Sequence, residues 1–275
     1  MLKTIRIKNK HNNILLTDIR YPNNNSKNLP LLIFCHGFKG FKDWGGFPYM
    51  LEKISASGIF CVSFNFSYNG IGETDLTEFT RLDLFAKNTI SRELDDLHAI
   101  INYFDENRNL YNYDFNALTL MGHSRGGGVA IIKTAEDKRV NKLITLAAVS
   151  TFNRYTEERK KEWERKGYLG VLNTRTQQMM KINYSFLKDL EKNKNRLNIK
   201  NAVKKINCPF LIVHGKEDLS VDYSDALELY EVSNKTNTKL ITIENTGHTF
   251  GVSHPFIGTT PYFETVISEI IKFII

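Results

Sequence analysis

Three side chains in this sequence have the types and surroundings that nucleophilic acyl chemistry needs: Ser124, Asp218 and His248. Ser124 lies in Gly122-His123-Ser124-Arg125-Gly126, a G-x-S-x-G pattern with an apolar run before it at 118–121 and another after it at 129–132. A strand-to-helix turn of this kind lifts one hydroxyl clear of the backbone and sets it at a helix N-terminus, where developing negative charge is favoured. Read alone, the five residues also fit a Gly-rich turn with an idle serine, or a phosphate-binding turn. A serine hydroxyl is a weak nucleophile at neutral pH and needs a neighbouring base.

His248 is the histidine best placed to be that base. It follows the apolar run 240–243, in a loop at a strand's carboxyl end. His254 is its rival, but Pro255 biases it towards extended backbone and a place on the pocket rim. His98 falls on a helix, His11 in a turn, and His123 flanks Ser124 on the elbow itself. An imidazole base must be oriented by an acid. Asp218 follows the run 210–213, again in a loop after a strand, although a turn-stabilising role also suits it. Glu217 reads as solvated, and Asp222 and Asp225 as serving a helix N-terminus. The chain order Ser124, Asp218, His248 is one in which this constellation occurs.

An oxyanion needs donors as well. His36-Gly37-Phe38-Lys39-Gly40 follows the first buried apolar run, and its glycines let the chain fold back. The backbone N–H groups of Phe38 and Arg125 are the expected pair.

The elements that must hold these groups follow from apolar patterning. Residues 2–8 and 14–21 read as a hairpin, with a surface loop at 23–26. Runs at 31–35, 59–64, 117–121, 143–149, 210–213 and 240–243 read as strands buried on both faces. Helices are expected after residue 47, with Pro48 in the first turn, over 83–104, from Ser124, over 222–232, and at the C-terminus. Strands alternating with helices predict an α/β fold with a mostly parallel sheet covered on both faces. Residues 150–205 interrupt the rhythm with helical stretches and no strand signal. They are expected to form a helical cap between core segments 1–149 and 206–275.

Charge is uneven. The net is +7, yet residues 154–205 carry 15 Lys/Arg against 6 Asp/Glu, a net of +9, so the remainder is slightly acidic. A solvated helix face is the plain reading, with Glu157 or Glu158 pairing Lys161 and Glu162 pairing Lys166. Cys35, Cys61 and Cys208 are few, odd in number and widely spaced, which suits reduced core residues. No metal-ligand spacing, dinucleotide fingerprint or nucleic-acid module is present, and no cofactor is expected. No apolar run approaches the about 20 residues that cross a bilayer. The first ten residues lack an apolar signal region, so a cytoplasmic location is expected.

The segments HGFKGFKDWG at 36–45, FNFSYNGIGE at 64–73, GHSRGG at 122–127, HGKED at 214–218 and GHTF at 247–250 together resemble the α/β-hydrolases. Within them the chain is most similar to bacterial cinnamoyl or feruloyl esterase-type members of the dienelactone-hydrolase and acylaminoacyl-peptidase group. The resemblance implies a Ser124–His248–Asp218 triad, ester hydrolysis through an acyl-enzyme, and an insertion between strands 143–149 and 210–213. The run ERKKEWERK at 158–166 departs from any acyl-selecting motif of that group. Trp44 and Phe47, beside the oxyanion loop, and Trp163 and Tyr184, from the cap, are the candidate pocket residues. A small ester is the expected partner, and homodimer formation is left open. The alternatives are a serine peptidase, amidase or thioesterase on the same residues, or a ligand-binding protein that keeps the fold without the reaction.

Overall fold

The continuous apolar runs lie at the centre of an eight-stranded sheet, in a computed structural model that describes residues 1–22 and 28–275. The loop expected over 23–26 lies outside the described residues. The strands are β1 (Leu2–Lys8), β2 (Ile14–Arg20), β3 (Leu29–Cys35), β4 (Phe60–Phe64), β5 (Tyr113–His123), β6 (Lys142–Leu146), β9 (Phe210–Gly215) and β10 (Thr238–Ile243). Their spatial order is β1-β2-β4-β3-β5-β6-β9-β10. The β1–β2 and β2–β4 pairs are antiparallel and every other pair is parallel. The expected α/β-hydrolase architecture, with its N-terminal antiparallel hairpin, is the one observed.

Alternate residues of β3 explain why its run is apolar throughout. Leu31, Ile33 and Cys35 join one core, while Leu32 and Phe34 join the other across the sheet. Helices α1 (Phe47–Ala56) and α9 (Pro261–Ile274) cover the second core. Helices α3 (Ile90–Glu106), α4 (Arg125–Glu136) and α8 (Tyr223–Val232) cover the first. Pro48 stands in the first turn of α1, where its missing N–H costs nothing.

Two expectations are corrected. The helix expected over 83–104 is two helices, α2 (Leu82–Ala86) and α3. Thr89 adopts extended backbone and accepts the Arg92 N–H as an N-cap, which restarts the helix. The second correction concerns residues 150–205. They hold α5 (Glu157–Lys166), α6 (Ser185–Lys192) and α7 (Ile199–Val203), but also an antiparallel hairpin of β7 (Tyr168–Asn173) and β8 (Gln178–Asn183). Leu169, Met180 and Ile182 point inward from it, and the Trp163 Nε1–H donates to the Ile182 carbonyl at 2.8 Å. The strands gain their hydrogen bonds from each other, so the cap is mixed rather than helical.

On α5, Glu162 pairs with Lys166 at 2.5 Å as expected, whereas Glu157 pairs with Lys160 rather than Lys161. Cys35 and Cys61 are buried and Cys208 is half-buried, and all three are free. Among the described residues, no helix is long and apolar enough to cross a membrane, and no cluster has the makings of a metal site.

Candidate active site

The elbow is made by backbone packed against backbone. Ser124 is held at φ 57° and ψ −122°, a conformation that costs a residue with a side chain about 1–3 kcal/mol. It persists because its surroundings fix it: the Ser124 N–H donates to the Leu146 carbonyl at 2.9 Å, and the Ser124 carbonyl accepts the Gly127 N–H at 3.0 Å. A Cβ on Gly126 would stand 2.3 Å from the His36 carbonyl oxygen, so only glycine lets α4 begin this close to the end of β3. A Cβ on Gly37 would stand 2.9 Å from the Ser124 Cβ, which shows how closely the loop after β3 approaches the serine. Among the described residues, neither the Phe38 nor the Arg125 N–H is spent on a turn or cap hydrogen bond.

His248 and Asp218 meet at the ends of β10 and β9. The His248 Nδ1–H donates to Asp218 Oδ2 at 2.7 Å, which leaves Nε2 for the cleft. The Asp218 side chain is fully buried. Its Oδ1 accepts the Ser220 and Val221 N–H groups at 2.8 and 2.9 Å. Burial raises its pKa, but hydrogen bonds from His214 and His248 outweigh burial and hold the carboxyl far below the usual range. Ser124 and His248 line the same cleft, although among the described residues no hydrogen bond joins them. His254 stands apart from this pair: its Nδ1 accepts the Gly45 N–H at 2.9 Å and its ring stacks on Trp44.

Two histidines that pattern reading kept out of the catalytic set support these groups. His214 Nε2 lies 2.9 Å from the Val221 carbonyl and 3.3 Å from Asp218 Oδ2, so its N–H bridges both acceptors. His36 receives the Phe66 N–H at Nε2, so its Nδ1 carries the proton and donates to the Gly37 carbonyl at 2.9 Å. Burial pushes His36 down to about 4, keeping it neutral while it braces the loop. His123 is likewise pushed down by burial, to about 3, and its Nε2–H donates to the His248 carbonyl at 2.9 Å. The signal for His214 lies in its place near the end of β9, four residues before Asp218. Asp222 caps α8 as expected, while Asp225 takes the Ser150 N–H at 2.6 Å.

The cleft has two lobes, of about 500 and 460 Å³, on either side of Ser124 and His248. The first is lined by Trp44, Phe47, His254 and the hairpin turn residues Asn173, Thr174 and Arg175. The second is lined by Arg125, Val149, Phe152, Arg154, Tyr155 and Phe186. Trp44 and Phe47 therefore reach the cleft, whereas Trp163 and Tyr184 do not line it. Trp163 is wholly buried between Tyr155 and Phe186, because α5 turns its one aromatic residue inward. Tyr184 ends the hairpin at the start of α6. Tyr155 and Phe186 take their place.

The Arg125 guanidinium lies 4.5 Å from the centre of the Phe38 ring and donates to the buried Glu93 Oε1 at 2.5 Å. Burial raises the Glu93 pKa, against the lowering by Arg125. A separate cavity of 530 Å³ lies between α6, α7 and the segment after β6.

Comparisons with known proteins bear on the family and the fold. The family profile described as BD-FAE matches residues 82–232. The structure of Est1E from Butyrivibrio proteoclasticus with ferulic acid bound superposes with a TM-score of 0.75 at 20% identity, over 98% of this chain and 97% of that one. A protein of a traX-finO intergenic region in Escherichia coli is 29% identical over 154 residues, which take in 56% of this chain and 49% of that relative, about half its length. The mitochondrial palmitoyl-protein thioesterase ABHD10 of Pongo abelii is 23% identical over 228 residues, 80% of this chain and 67% of that one.

Proposed function

The chain belongs to the BD-FAE family, and from that premise we propose that it is a serine carboxylesterase, with Ser124 as nucleophile, His248 as base and Asp218 as orienting acid. The observation that carries the proposal is the pairing of a strained, helix-capping Ser124 with a His248–Asp218 pair in one cleft. Ser124 Oγ attacks the ester carbonyl as His248 Nε2 takes its proton. The Phe38 and Arg125 N–H groups receive the developing oxyanion. The same imidazolium returns the proton to the leaving alcohol, which leaves an acyl-enzyme. Water, deprotonated by His248, then releases the acid. Asp218 holds the Nδ1–H tautomer and stabilises the imidazolium between steps.

The substrate is a small-molecule ester. The free cysteines suit a reducing compartment, and the cytoplasm is the location proposed. A thioester reading of the same residues is supported by the Pongo abelii relative, named a palmitoyl-protein thioesterase. Turnover of matched oxygen esters, thioesters and amides separates these readings. Labelling by a fluorophosphonate tests the nucleophile: wild type becomes labelled and Ser124→Ala does not. An unlabelled wild type, or equal labelling of both, overturns the assignment.

A further inference from the structure

The cleft lobe on the hairpin side is furnished with hydrogen-bond donors. Asn173 ends β7 and is only 6% exposed. Its Oδ1 accepts the Arg175 N–H at 3.3 Å, while its Nδ2 is buried and has no hydrogen-bond partner among the described residues. A buried donor left unpaired is costly, and such groups ordinarily have a partner in the working protein. Lys39 and Arg175 line the same lobe, and among the described residues no aspartate or glutamate does.

The two cations differ. Arg175 is already committed, donating to Glu78 Oε1 at 2.8 Å and to the Thr77 carbonyl at 3.0 Å. Lys39 Nζ reaches the carbonyl of Leu172, the residue before Asn173, at 3.3 Å. Among the described residues, it forms no ion pair with a carboxylate, and burial holds the ammonium below the usual lysine range. His254 adds a third donor, since its Nδ1 accepts the Gly45 N–H and the proton must sit on the other ring nitrogen.

We propose that this lobe binds a carboxylate, so that the substrate is an ester carrying a free carboxylate on the part lodged between Lys39 and Asn173. The proposal rests on the esterase reading and adds a substrate class to it. One uncompensated ammonium matches a single negative charge. The orphan amide N–H matches the second oxygen of a planar acceptor. A doubly charged phosphate ester would leave charge unmatched there.

The test uses two pairs, each a free acid and its methyl ester, with release of the naphthol or phenol as the readout: 1-naphthyl hydrogen glutarate with its methyl-capped diester, and 4-carboxyphenyl acetate with methyl 4-acetoxybenzoate. In one pair the free acid is expected to be preferred by about tenfold or more in kcat/KM, the scale of one charge-assisted hydrogen bond. Added salt shrinks the preference. In Lys39→Gln and Asn173→Ala the ratio within the pair falls towards one, whatever happens to the absolute rate. Equal rates in both wild-type pairs, or ratios unchanged in both variants, overturn the proposal. Titration calorimetry of Ser124→Ala with the same four compounds reads the subsite without turnover. Tighter binding of a free acid supports the carboxylate site, and equal binding of each pair overturns it. A failed fluorophosphonate label with a retained binding preference would instead remove the esterase reading alone.

Discussion

At the elbow, backbone meets backbone; the inserted segment is joined to the core loops through side chains. A Cβ on Gly126 has two carbonyl oxygens within 2.5 Å, neither of which can move without shifting β3. A Cβ on Gly170, in the hairpin, would meet nothing nearer than the flexible Met179 sulfur at 3.1 Å. The insertion reaches the core loops through long side chains: Lys39 to the Leu172 carbonyl, Arg175 to Glu78, and Gln178 to the Phe79 carbonyl. Reacting atoms must be placed to within fractions of an ångström, and packed backbone does that. The insertion, tethered by side chains, keeps more freedom to adjust.

The contrast can be broken most severely at the base. His248→Ala is expected to lower kcat/KM by about four orders of magnitude with the fold intact. His254→Ala, across the same lobe, should cost less than about tenfold, because its ring contacts Trp44 and the Gly45 N–H rather than Asp218. Steady-state rates on a chromogenic ester decide this, and the reverse order would exchange the two assignments.

Next in size is the glycine pair. Gly126→Ala should destabilise the fold by about 4 kcal/mol or more. Gly170→Ala should stay within about 1 kcal/mol, since a strand glycine has backbone entropy to lose. Urea denaturation of the two proteins measures the difference, and similar midpoints would erase the distinction drawn between the regions.

A third effect is pH-dependent. His36 and His123 are bases held to about 4 and about 3 by burial. Below the ordinary imidazole value of about 6.5 the unfolded chain takes up protons that the folded chain refuses. Stability is therefore fully present above about pH 6.5 and falls towards pH 4, by up to about 1.4 kcal/mol per pH unit for each histidine. Asp96 acts in the opposite sense between about pH 4 and 6, because burial pushes it up to about 6. The slope of urea midpoint against pH for His123→Gln, subtracted from that of wild type, isolates the histidine, and identical slopes would deny it a buried neutral role.

The smallest effect belongs to the cap surface. Glu162→Gln removes an exposed ion pair to Lys166 and should leave the urea midpoint unchanged.

Much of the core and the candidate site was legible because the signals are local. A run such as 31–35 can be buried only one way in an alternating fold, and the elbow residues are contiguous. Other features depend on partners far along the chain. Nothing between 168 and 183 announces a strand until Leu169 finds Ile182 across the hairpin. The break between α2 and α3 turned on a single residue, Thr89, inside an otherwise helical pattern. Trp163 carried a usable clue: as the lone apolar residue of ERKKEWERK, it had to face inward and could not line an open cleft. His36 was invisible as a support because its partner, Phe66, is brought to it only by the folded sheet.

One pairing in the sheet bears on how such proteins diversify. The chain leaves at β6 and rejoins at β9, and these two strands are immediate neighbours, in register from Leu143 with Phe210 to Leu146 with Val213. The excursion between them starts and ends at one gap in the architecture. Doubling the length of such an excursion adds only about 0.6 kcal/mol of closure entropy. Its length and content can drift through evolution, or be swapped by an engineer, without renegotiating a single strand pairing beneath it. The sheet is thus a fixed socket, and the segment plugged into it is a replaceable cassette.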